Sequence, residues 1–545
     1  MRLMVEGSGG NMSADTELQA FIERHVAAVA PLSRELGLAD WEMQTAGSPK
    51  ATERVATLRE RLTNLYANTE EYAFLQSLTG QPFADPQLAR QHLLLRNAYL
   101  SNQIAPEVIA EMIALEVGIE ETFNTFRATV RGEQVSDNTL DETLLTSHDA
   151  ALRRETWEAS QAVGAAVSER VLQLVRLRNR EAQRLGFSDY YAMSLELQEL
   201  APERLFTLLD DLQRRSQPLW ETYKEDLDAD LAAQFQTTPD ALRPWHYHNR
   251  FFQEPGPGEA DLDRFFLDKD LEKLTSEFFA AIGLPVDDLL KIADLYERPG
   301  KCQHAFCTNI DRAADVRVLC NNRPNERWMS TTLHEFGHAV YDKFLDPALP
   351  YLLREPAHVM TTEAIALFMG RLTKNADWLA TYAGVAPEEA ARIAASARRE
   401  TRDYLLVFMR WCFVMAHFER ALYHDPEQDL NTLWWALKAN YQGLIPPEDR
   451  HAPDWAAKIH LAAAPVYYHN YQLGEMVASQ LLHHLTTTVL AGEPAAALIA
   501  SPKVGAYMET ALFRSGAVSP WETWIKDATG EALDPGYFVE QLQTL

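Results

Sequence analysis

The stretch 330–344, STTLHEFGHAVYDKF, holds the most chemically suggestive spacing in the chain. His334 and His338 are four residues apart, so a helix puts both imidazoles on one face, close enough to share one ion. Glu335 points about a quarter-turn away. It is badly placed to join them as a ligand, but it can reach a water on the ion and take its proton. The competing reading is two half-buried helical histidines with an incidental acid. A hydrolytic zinc site needs a third protein ligand and an open position. Glu363 follows in the run TTEAIAL, residues 361–367. Alone it reads as a first-turn carboxylate favoured by the helix dipole; beside the histidine pair it reads as the third ligand. Two neutral imidazoles and one carboxylate leave one Zn2+ per chain with net positive charge, which polarises a carbonyl and acidifies bound water.

A second constellation lies downstream in KIHLAAAPVYYHNY, residues 458–471. His460, Tyr468 and Tyr471 have the chemistry to hold a tetrahedral oxyanion. A helix beginning near Pro465, a favourable first position, sets Tyr468 and Tyr471 on one face. The competing reading is an aromatic-rich core helix.

These residues need helices to position them, and the pattern supplies helices almost throughout. Apolar residues recur at helical spacing in 147–186 (Val167, Val171, Leu174, Val175, with Gly186 as a stop), in 201–234 and in 388–424. Ser330 or Thr331 is expected to cap the double-histidine helix, and Thr361 or Thr362 the Glu363 helix. The best strand candidate is 316–320. Pro/Gly clusters at 255–258, 299–300 and 446–447 are too short for flexible linkers. The fold expected is mainly α: one two-lobed helical unit over 13–545 with a minor short β element. Residues 1–12 read as a disordered tail or cloning remnant, with Met12 as an alternative start.

The 545 residues are 47% hydrophobic and 23% charged, with a formal net charge of -28. That is a soluble globular composition, and its sign repels phosphate backbones, which argues against nucleic acid as a partner. No apolar run is long enough to span a membrane, and the start has no signal-peptide core. A cytoplasmic location is expected, or a secreted or periplasmic one if a signal was removed. The four cysteines, Cys302, Cys307, Cys320 and Cys412, do not fix the compartment.

Taken in order, these motifs resemble the angiotensin-converting-enzyme-like zinc peptidyl-dipeptidases. VRLRNREAQRLGFSDYY, QHAFC, HEFGH, LPYLLREPAHVMTTEAIA, WWALKANYQGLIPP, KIH and YHNY all have counterparts there, from about residue 140 to 485. The resemblance implies a two-lobed helical zinc metallopeptidase fold with a deep central groove, His334, His338 and Glu363 as zinc ligands, and Glu335 as general base and then acid. It implies His460 and Tyr471 at the oxyanion, and Lys458 and Tyr468 on the substrate's C-terminal carboxylate. His304 would line the groove, and Ala305 would pair its backbone with the peptide. The chain departs from the family in several places. Leu367 stands where the family has an Asp supporting the first histidine. The family's carboxylate-holding Gln falls at Tyr247. Asn470 replaces a chloride-binding Arg. The spacing from His460 to the tyrosine pair differs by one residue, leaving Tyr467 as a competitor. Cys302 and Cys320 sit near a family disulfide. The thimet-oligopeptidase and oligoendopeptidase group resembles the same HEFGH and HLAAAPVYYHNYQLGEM segments.

The reading is a zinc metallopeptidase that releases C-terminal dipeptides from short peptides. Its alternatives are an oligoendopeptidase cutting internally, a non-catalytic peptide-binding protein and a non-peptide amidohydrolase. Whether the protein is a monomer or a homodimer is left open.

Overall fold

The computed structural model describes residues 13–256, 258 and 260–545; the tail expected over 1–12 lies outside them. Helices dominate. Among the described residues strands are confined to two antiparallel hairpins, Ala128–Val130 with Glu133–Val135 and Phe306–Asn309 with Val316–Leu319. The fold is mainly α, as expected.

The three long helices appear where the periodicity put them, over Ala150–Arg184, Pro202–Gln234 and Pro387–His424. The Asp149 carboxylate caps the first by accepting from the N–H groups of Ala151 and Leu152. The other two begin on a proline, whose missing N–H costs nothing there. Val167, Val171, Leu174 and Val175 all face one continuous core that runs from Met112 to Leu542. Two small satellite cores lie under the N-terminal helices Ala14–Ala46 and Pro49–Tyr66.

The double-histidine helix spans Glu326–Lys343 and is capped by Asn325, more than a turn before the expected Ser330 or Thr331. Those two hydroxyls are used inside the helix. Ser330 donates to the Gly370 carbonyl at 2.9 Å and Thr331 to the Arg327 carbonyl at 2.8 Å. The Glu363 helix spans Val359–Arg371, and its cap is His358, not Thr361 or Thr362. His358 Nδ1 accepts from the Met360 N–H, while Thr361 pairs reciprocally with the His358 backbone. An imidazole nitrogen can thus do what Ser or Asp usually does at this position, and no capping pattern flags it.

These two helices cross at very short range. A Cβ on Gly337 would lie 2.8 Å from Ala366 Cα, and one on Gly370 would lie 3.1 Å from the Ser330 carbonyl oxygen. At position 337 a side chain would push the helices apart, and their close approach brings Glu363 against the two histidines.

The expected helix from Pro465 is a correction. A short helix, His460–Ala463, ends before Pro465, and a long one begins at Tyr468 and runs to His484. Between them Val466 sits at φ 55°, the left-handed region that a β-branched residue rarely enters. Its N–H donates to the buried Glu419 carboxylate at 2.7 Å, and its carbonyl accepts from Gln198 Nε2 at 3.1 Å. The strain persists because both backbone groups are fixed.

All four cysteines are free, so Cys302 and Cys320 form no disulfide. Backbone contacts tie this region instead. The Cys302 N–H donates to the Gln44 carbonyl at 2.8 Å, and the buried Lys301 ammonium donates to the Cys320 carbonyl.

Candidate metal centre

His334 Nε2 lies 3.8 Å from one oxygen of Glu363, and His338 Nε2 lies 3.9 Å from the other. All three donor atoms fall within 4.8 Å of one another. Burial pushes His334 down to about 4; burial and then His334 push His338 down to about 3. Both are neutral near pH 7, which a metal ligand requires. Their outer nitrogens are supported: His338 Nδ1 pairs with the Thr362 hydroxyl at 2.7 Å, and His334 is hydrogen-bonded to the Ala366 carbonyl. Leu367, at the position where the resemblance expects an Asp, packs near Gly474 of the tyrosine helix. Two imidazole nitrogens and one carboxylate, half-buried with one face on a cleft, form a donor set that fits zinc.

Glu335 stands on the same helix and accepts a hydrogen bond from the Cys307 backbone N–H, on the edge of the hairpin. Burial, and then the Glu363 charge, push its carboxyl up to about 8. A dication on the three donors acts in the opposite sense. His334, Glu335, His338 and Glu363 all line a cleft of about 730 Å3, with Ala305 on its wall. His304 is exposed and stands outside that wall.

The downstream residues assemble around Lys458. Its ammonium donates to Gln253 Oε1 at 2.8 Å and sits 5.7 Å from the Tyr468 ring centre. The rings of His460 and Tyr468 are 5.0 Å apart, and those of Tyr468 and Tyr471 5.5 Å. Burial, and then Lys458, push His460 down to about 4, so it is neutral; its Nδ1 is buried without a protein partner. Burial and then the Glu363 charge raise Tyr471, so its hydroxyl stays a donor. Tyr467 also feels the Glu363 charge, and its ring lies 5.1 Å from that of Tyr471. Both tyrosines therefore stand on the Glu363 side, while Tyr468 stands with Lys458.

The side chain beside Lys458 is Gln253, not Tyr247. Tyr247 is buried elsewhere, with its hydroxyl between Lys224 and Asp228. Gln253 follows Phe252, another non-glycine residue in the left-handed region, at φ 51°. The Phe252 carbonyl accepts from the buried Gln442 amide at 2.6 Å, and the Phe251 carbonyl from Lys438 at 2.8 Å. Lys438 and Gln442 lie in WWALKANYQ; the motif is visible in the sequence, and its hydrogen bonds to the backbone before Gln253 are not. Asn470, in the place of the chloride-binding Arg, donates to Gln198 Oε1 at 2.8 Å.

Among the described residues no helix is long and apolar enough to cross a membrane. A family model described as angiotensin-converting enzyme, Peptidase_M2, matches residues 12–238 and 261–540. Angiotensin-converting enzyme of Rattus norvegicus is 24% identical over 288 residues, 50% of this chain and 21% of that protein. Angiotensin-converting enzyme-like protein Ace3 of Mus musculus is 24% identical over 440 residues, 72% of this chain and 57% of that protein. Carboxypeptidase 1 of Bacillus subtilis (strain 168) is 26% identical over 279 residues, 44% and 52% of the two chains. The matched regions cover well under two thirds of each relative's own length.

Proposed function

The chain belongs to the angiotensin-converting-enzyme family of metallopeptidases, and from that premise we propose that it is a zinc-dependent peptidyl-dipeptidase acting on short peptides. The observation that carries dipeptide release is the Lys458–Gln253 pair beside Tyr468. A buried ammonium whose partner is a neutral amide has an unspent charge, and a substrate's terminal carboxylate matches it.

Zinc held by His334, His338 and Glu363 supplies Lewis-acid polarisation of the scissile carbonyl and lowers the pKa of water. Glu335 takes the proton from the attacking water and passes it to the leaving amine. Neutral His460 and the protonated Tyr471 hydroxyl donate to the oxyanion as it forms. Lys458, Gln253 and Tyr468 fix the C-terminal carboxylate, and the Ala305 backbone aligns the chain on the cleft wall. With both ends set, the bond to be cut is chosen by distance from the C-terminus and not by sequence.

The test is mass spectrometry of an acetylated peptide and its C-terminally amidated twin, digested by zinc-loaded wild type and by Glu335→Gln. Only the free peptide should lose successive dipeptides. Glu335→Gln should keep its zinc and lose roughly 10²-fold or more in rate, the span of a general base. Internal cutting of both twins would make the protein an oligoendopeptidase and remove the clamp assignment. Full activity in Glu335→Gln would overturn the mechanism.

A further inference from the structure

His334 and His338 are successive members of one helical stripe, and the next residue on it is Asp342. Asp342 lines the same cleft of about 730 Å3 as the two histidines. It stands one turn beyond His338, about 6 Å along the helix axis. The far walls are the strand Phe306–Asn309 and the loop 354–358. Gln253 and Lys458 line a separate cavity of about 580 Å3. On the peptidase reading above, a peptide held by its carboxylate at Lys458 crosses the metal ligands, which leaves the Asp342 side of the metal cleft to its N-terminal part.

The carboxyl of Asp342 has no cation of its own. Among the described residues no ion pair reaches it. Arg312, whose charge reaches Asp342, is paired with Glu355 and lies 5.0 Å from the Tyr351 ring centre. Arg354 donates to the Leu349 carbonyl at 2.7 Å. Asn309 supplies a neutral hydrogen bond. Burial, and then the Glu355 charge, push the Asp342 carboxyl up to about 7. A carboxyl in this situation gains more from an arriving cation than one already paired at the surface.

We propose that Asp342 is a specificity residue, selecting peptides that carry a cationic group about two residues N-terminal to the scissile bond. The distance follows from the ~6 Å helical step against ~3.3 Å per residue of extended peptide. The cation is a Lys or Arg side chain, or the α-ammonium of a very short peptide. This rests on the peptidase reading above and deepens it.

The experiment uses zinc-loaded protein and peptides identical except at that position, with Lys, norleucine or Glu, each with a free and an acetylated N-terminus. Both Kd and kcat/KM are measured. Wild type should favour the acetylated Lys peptide over the norleucine one by at least about tenfold, the scale of one hydrogen bond to a charged group, and Glu should be worst. If the α-ammonium is the source, the gain appears instead between the free and acetylated norleucine peptides. In Asp342→Asn either ratio should fall to about one, and a ratio is insensitive to partial loss of active protein. Equal values for cationic and neutral peptides in wild type, or an unchanged ratio in Asp342→Asn, overturn the proposal. If wild type cuts no peptide, the dipeptidase reading fails, and the Kd series still decides this one. The wild-type series also stands alone should Asp342→Asn not fold.

Discussion

Replacing Gly337 with Ala should weaken zinc binding, at a cost to the metal-free fold of no more than about 2 kcal/mol. The added Cβ would stand 2.8 Å from Ala366 Cα, with the Ala366 nitrogen and the Ile365 carbonyl oxygen at 3.3 Å. These are backbone atoms of the Glu363 helix, so no side chain can swing aside. Carbon atoms rest at about 3.5–4.0 Å, so the helices must part by about 1 Å. Zinc ligands tolerate about 0.2 Å. Glu363 moves with its helix while His334 and His338 stay with theirs, so the displacement falls on the ligand set. Disturbing such support costs about 10–100-fold in metal affinity, or about 1.4–2.7 kcal/mol. Overpacking costs about 1–3 kcal/mol, and replacing a mid-helix glycine by alanine returns about 1 kcal/mol. The net loss for the metal-free fold is therefore about 0–2 kcal/mol. Competition against a chromophoric chelator reads the zinc affinity, and thermal melting of the apo-protein reads the stability. Gly370→Ala should have a weaker effect, because its Cβ meets nothing closer than 3.1 Å. Wild-type zinc affinity in Gly337→Ala would refute the idea that this contact sets the ligand geometry.

Two further predictions concern the grip on the substrate. Burial, and then the Arg250 charge, push Lys458 down to about 8. The lysine is cationic below that value and neutral above it. The kcat/KM of an acetylated free-acid peptide, which reports the free enzyme, should therefore fall as pH rises through about 8. That of the amidated twin should show no such step; parallel profiles would separate Lys458 from carboxylate binding. Gln442→Leu leaves the Phe252 carbonyl without its 2.6 Å donor, a loss of about 1–3 kcal/mol. Phe252 is then free to leave the left-handed region. Discrimination between the twins should shrink with zinc content unchanged, and intact discrimination would show that Gln253 is placed by something else.

How much of this was legible follows the range of the interactions. The double-histidine helix, the Glu363 helix and the three long amphipathic helices rest on local spacing, and the sequence displays spacing directly. The caps were misplaced because Asn325 lies upstream of a Ser/Thr-rich run, and His358 belongs to no usual capping pattern. Gln253 was missed because its role depends on Lys458, far away in sequence, and on a kink at Phe252 that no local propensity favours. The same holds at Val466. Proline there suggested a helix start, but Glu419 and Gln198, both remote in sequence, hold the backbone in a conformation that valine would not choose. The one-residue difference in spacing from the family falls in this segment, whose left-handed kink delays the helix to Tyr468.

The two halves of the site are therefore built on different physics. The ligand half depends on close helix packing through Gly337 and Gly370, which is stiff and low in strain. The gripping half depends on two strained turns, Phe252 before Gln253 and Val466 before Tyr468, each pinned by buried polar side chains from other helices. Each left-handed non-glycine residue costs about 1–3 kcal/mol, which the surrounding hydrogen bonds must offset. Loss of a pin should let its turn relax while the helix pair stays whole. Substitutions at Glu419, Gln198, Lys438 or Gln442 would then leave a zinc protein that still binds metal but has lost its measure of the peptide's end. On the proposed function, dipeptide release should be the more fragile property, with internal cleavage left when the kinks are lost.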